Sequence, residues 1–127
     1  MVNENQPRAI FRKLLVSFIA VFILVSQAAA QVDLSGTWQG RYLFTAITAH
    51  VDHRGDTLTG FVIVHERCDD TVYHFKGTLK GNNIEASHHD GHTFTGHLTP
   101  DGTIAGTLTM KDNVTVQLTM TRESQQN

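Results

Sequence analysis

Five copies of one pattern, apolar-x-Gly-x-apolar, constrain the fold of this chain more than any other feature. They are Trp38-Gln39-Gly40-Arg41-Tyr42, Leu58-Thr59-Gly60-Phe61-Val62, Phe75-Lys76-Gly77-Thr78-Leu79, Phe94-Thr95-Gly96-His97-Leu98 and Ile104-Ala105-Gly106-Thr107-Leu108. In an extended strand, residues two apart point to the same face. Each copy therefore lays a large apolar side chain, a gap and a second large side chain along one face. An inward glycine lets a strand bend or makes room for a neighbouring aromatic ring, and a sheet closing on itself needs both.

Register follows from the turns, because a slip of one residue turns a strand's apolar set to the wrong face. Keeping Ile84 and Ala86 on the face of Phe94 leaves His89-Asp90-Gly91 as a loop. Keeping Leu98 with Ile104 leaves Pro100-Asp101-Gly102, and keeping Met110 with Val114 leaves Lys111-Asp112-Asn113. All three are three-residue loops ending in Gly or Asn, the residues a left-handed position after a type I turn requires. Leu79 and Ile84 leave Gly81-Asn82 as a two-residue turn, and further turn signals stand at Arg54-Gly55 and Cys68-Asp69-Asp70. Period-two alternation between these points predicts an all-β fold: a single up-and-down antiparallel meander closing into a small barrel of about eight strands. Leu43 to Ile47 carry no Gly, Pro or Asn, so a seven-stranded version with one long bent strand stays open.

The inward set comprises Trp38, Tyr42, Leu58, Val62, Val64, Tyr73, Phe75, Leu79, Ile84, Phe94, Leu98, Ile104, Leu108, Val116, Leu118 and Met120. Of these, the aromatic residues Trp38, Tyr42, Tyr73, Phe75 and Phe94 are the candidate ligand-binding residues. Thr59, Thr95, Thr107, Thr115 and Thr119 face outward.

Ahead of the barrel, residues 1–30 read as a cleavable signal peptide. Arg8, Arg12 and Lys13 precede an apolar run from Leu14 to Val25, and Ala28-Ala29-Ala30 offers a small-x-small cleavage site. The run is short against the roughly 20 residues of a spanning helix. Residues 31–127 then form one domain, and the destination is secreted or periplasmic. Of the ten Lys+Arg and twelve Asp+Glu, removing Arg8, Arg12, Lys13 and Glu4 with the leader leaves a net charge of −4. With no basic cluster, the balance argues against nucleic acid and, after signal cleavage, against a membrane partner. Cys68 is the only cysteine, so the domain holds together by core packing, as a monomer or weak dimer.

Gly36-Thr37-Trp38, followed by Gly55-Asp56-Thr57-Leu58-Thr59-Gly60, resembles the opening of avidin and streptavidin, and the Gly-x-Trp is shared with lipocalins. The resemblance implies an eight-stranded barrel holding a small ligand inside. It covers the N-terminal strand and the following hairpin only. The several tryptophans that line the biotin pocket have no counterpart, since Trp38 stands alone.

Eight histidines lie in the mature chain, and His88, His89 and His92 gather around Asp90. His88 and His92 flank the loop on the inward face, with Met110 beside His92 and Cys68 on a loop at the same end. That set is either a polar rim or a metal site: His with Met and Cys would suit copper, and neutral His with the Asp90 carboxylate would suit zinc. No cofactor is required by the fold. His74 and His89 face outward, and His50, His53 and His97 read as isolated and solvated. Carboxylates lie in turns rather than as an inward pair, and no nucleophile elbow is present, so no enzyme is expected. The expected function is that of a binding module, for a small-molecule ligand inside or for a protein partner on the outer wall, where Phe61 and Ile63 project together.

Overall fold

Leu98 and Ile104 do face each other, and so do Ala86 and Phe94, and Leu108 and Val116. The computed structural model describes residues 32–124; the leader assigned to residues 1–30 lies outside them. Eight strands follow in order: β1 (Gly36–Tyr42), β2 (Thr45–Arg54), β3 (Thr57–His65), β4 (Asp70–Lys80), β5 (Asn83–Ser87), β6 (Thr93–Leu98), β7 (Ile104–Thr109) and β8 (Thr115–Arg122). Each pairs antiparallel with the next, and β8 returns to β1 to close a barrel. The seam is short, pairing Trp38 with Arg122, Gln39 with Thr121 and Gly40 with Met120.

All three predicted three-residue loops form. Gly91 N–H donates to the His88 carbonyl, Gly102 N–H to Thr99 and Asn113 N–H to Met110. The closing residues have φ of 98°, 85° and 68° respectively, all left-handed. The turn chemistry and the apolar alternation thus select the same register.

The connection without a turn signal is made by Leu43 and Phe44 between β1 and β2. Tyr42 pairs with Thr45 across it, and Leu43 takes φ 51°. A branched side chain in that region costs about 1–3 kcal/mol of backbone strain. Leu43 is 76% exposed and Phe44 96%, so this tip carries two large apolar side chains into solvent where Asn-Gly would be the unstrained choice.

The β6–β7 turn is tied by a polar knot. Thr99 and Thr103 hydroxyls and the Thr103 N–H all reach Asp101 Oδ1. These hydrogen bonds, that from Thr99 foremost, hold the Asp101 carboxyl below its ordinary value. A depressed carboxylate contributes stability above its unfolded value and loses it as pH falls through the folded one. Asp101→Asn is therefore expected to flatten part of the acid-side loss of stability below about pH 4, read as a smaller drop in urea midpoint between pH 7 and pH 3 than in the parent.

Candidate functional site

The inner face of the barrel encloses a cavity of about 310 Å³, at the lower end of the roughly 300–1,000 Å³ usual for small-molecule sites. Its closed end is built from the N-terminal segment. Leu34 is buried, the Trp38 indole N–H donates to its carbonyl at 2.9 Å, and Trp38 is 1% exposed. The Arg122 guanidinium lies 4.6 Å from the Trp38 ring centroid and donates to the Ser35 and Asp33 carbonyls at 2.7 and 2.6 Å. A cation over an indole face that also ties down two carbonyls fixes this end rigidly.

His53 completes that end, which corrects its reading as a solvated residue. Its side chain is 8% exposed. Nδ1 accepts the Leu34 N–H at 3.0 Å, and Nε2–H donates to the Gly55 carbonyl at 2.8 Å. One nitrogen accepting and the other donating defines a neutral tautomer, so the 3.7 Å approach of Asp33 to Nδ1 is not an ion pair. His50 is half-buried as well, within hydrogen-bond distance of Thr37 Oγ1 at 3.2 Å and stacked on Phe61.

The cavity wall is apolar, with Ile47, Leu58, Val62, Ile84 and Leu108 among its residues, and all five aromatic candidates, Trp38, Tyr42, Tyr73, Phe75 and Phe94, line it. Its polar lining residues are Thr45, Glu66, Ser87, His88, His92 and Thr93. Every one of these sits where a strand begins or ends at the end of the barrel opposite Trp38 and Leu34. The site is thus apolar in depth and polar only at its mouth.

At that mouth Tyr73 stands edge-on to both His88 and His92, at 5.2 and 5.5 Å between centroids. Tyr42, His92 and Met110 line both the cavity and a shallower depression outside it, whose other walls are Lys111, Asp112 and Val114. They form the neck between interior and solvent. His92 Nδ1 is buried and finds no partner among the described residues.

The His88 ring stands beside the neck, its centroid 5.9 Å from that of His92, and carries the loop's remaining histidine chemistry together with His89. His88 Nδ1–H donates to the His74 carbonyl at 2.6 Å, which fixes the tautomer and orients the ring, as carbonyl partners do for metal-binding imidazoles. His88 Nε2 lies 3.3 Å from Asp90 Oδ2, and His89 Nε2 lies 3.3 Å from Asp90 Oδ1. Either a proton or a metal ion bridges such a nitrogen–carboxylate contact. Two ligands about 2.05 Å from one tetrahedral zinc stand about 3.3 Å apart, and all three ligand atoms lie within 4.8 Å of one another. His88, His89 and Asp90 could hold a metal ion. Of the other metal candidates, His92 and Met110 belong to the neck, and Cys68 is exposed on the β3–β4 loop.

Sequence reasoning gave Arg122 no role and left His89 outside the metal set. The pairing of Arg122 with Trp38 across the seam is a long-range contact with no local signal. Neither a protein-family model nor a curated protein matches this chain.

Proposed function

We propose that this chain is an exported binding module that holds a small apolar molecule inside its barrel, in the manner of the avidins and lipocalins its N-terminal motif resembles. The observation that carries the reading is the apolar cavity of about 310 Å³, sealed by Leu34 and Trp38 and open at the other end. A filled core would have no reason to keep such a space. The module acts without catalysis, in the secreted or periplasmic compartment, as a monomer or weak dimer.

Naphthalene, a rigid apolar molecule of ten carbon atoms, tests this directly through its own fluorescence. Ala86 lines the cavity, and Ala86→Trp is expected to fill it and weaken naphthalene binding about tenfold or more. A folded variant, judged by circular dichroism, that binds as the parent does would overturn the reading, as would failure of the parent to bind at all.

A second reading, a copper or zinc binder at the mouth, is favoured by the spacing of His88, His89 and Asp90. Two imidazoles and a carboxylate favour zinc; copper(I) would need the thioether of Met110 or the thiol of Cys68. The outer wall supports the partner-protein alternative through Ile63, which pairs with the exposed Val72.

A further inference from the structure

The apolar cavity, if it takes a ligand as proposed above, does not treat all apolar ligands alike, because its neck is chemically one-sided. His92 brings a buried imidazole nitrogen with no partner among the described residues. Such an atom is costly to leave unsatisfied, and a ligand group at the neck would satisfy it. Tyr42 adds a phenolic donor to the same neck, and Lys111 adds an ammonium group to the depression just outside. Lys111 enters no ion pair among the described residues. The one carboxylate in that depression, Asp112, is occupied within its own turn, accepting the Val114 N–H at 3.2 Å. Glu66 also lines the mouth, but on the far side, after β3. To an anion the neck offers a phenol, an ammonium and, when Nδ1 of His92 carries the ring proton, an imidazole N–H. With Asp112 Oδ1 engaged in its own turn and the Glu66 carboxylate across the mouth, the donors and the ammonium gathered on this side favour an anionic head.

We propose that the Tyr42–His92–Met110 neck is a head-group subsite, and that the physiological ligand is a single-chain carboxylate that enters tail first. The tail lies along Phe94, Phe75 and Trp38, and the carboxylate accepts from His92 and Lys111 at the mouth. A cavity of about 310 Å³, at the lower end of the roughly 300–1,000 Å³ of small-molecule sites, points to a short chain. Octanoate serves as the probe.

The test compares octanoate, octylammonium and naphthalene on the mature protein by NMR titration. Octanoate is expected to bind about tenfold or more tightly than octylammonium, which shares its tail and reverses its charge. His92→Phe keeps a ring at the neck but removes Nδ1, and Lys111→Ala removes a charge from an exposed turn. Each is expected to lower the ratio of octanoate to naphthalene affinity about tenfold. Equal binding of the two octyl compounds, or a ratio unchanged in both variants, would overturn the subsite while leaving the apolar cavity intact. Naphthalene failing to bind the parent would instead overturn the cavity reading, and the subsite with it.

Discussion

Gly96→Val is expected to destabilise the barrel by about 3 kcal/mol, near the upper end for overpacking, while Thr95→Val changes stability by less than about 0.5 kcal/mol. A Cβ on Gly96 would stand 2.7 Å from the Ala105 carbonyl oxygen and 2.7 Å from the Phe94 ring. The paired backbone cannot retreat, and the ring covers both glycines: a Cβ on Gly106, which faces Gly96 across the pair, would also meet Phe94, at 2.6 Å. The two glycines together make the slot over which Phe94 lies. Thr95 is exposed on the other face, where valine is as compatible with an extended backbone as threonine. Urea melts of the two variants decide the point. Equal, small losses would mean that the inward and outward faces are reversed.

Zinc uptake is expected to be lost in His88→Ala and in Asp90→Ala, with affinity falling more than about a hundredfold, beyond the usual effect of removing an outer-shell partner. His88 supplies the oriented ligand of the group, held through its Nδ1–H on the His74 carbonyl, and Asp90 is the only member in contact with both rings. Cys68→Ser should leave uptake unchanged, since Cys68 is exposed on another loop. Uptake should also weaken on acidification, because an imidazole must give up its proton to ligate. Isothermal titration of the reduced protein with zinc reads all three. Uptake surviving both substitutions would leave these residues as a polar rim.

How much of this was legible in the sequence depends on where each residue's partners lie. The three loops at 89–91, 100–102 and 111–113 were legible because a left-handed position announces itself with Gly or Asn, and each loop then fixes the register of two strands. The β1–β2 turn was not, because Leu43 holds φ 51° against its own preference, imposed by pairing on both sides. His53 looked solvated because it lies near a turn. Its partners, Leu34 N–H and the Gly55 carbonyl, meet only once the N-terminal segment folds beneath the barrel. The histidine cluster was visible as composition. Which nitrogen faces which oxygen depends on the ring orientation that the His74 carbonyl dictates, and that contact crosses from β4 to the β5–β6 loop.

The short seam between β1 and β8 has a consequence for when this protein acquires an inside. Every other strand contact joins neighbours in the chain, so seven hairpins can assemble from local encounters. None of them encloses anything. Enclosure waits for Trp38 to meet Arg122, two residues from opposite ends of the domain that share three rungs of ladder and one stacked guanidinium. Before that meeting, the chain is an open ribbon with two unpaired edges and an apolar face turned to water, the arrangement most prone to pair with another chain. Binding capacity and protection from self-association therefore depend on one and the same contact, the least local strand pairing of the barrel.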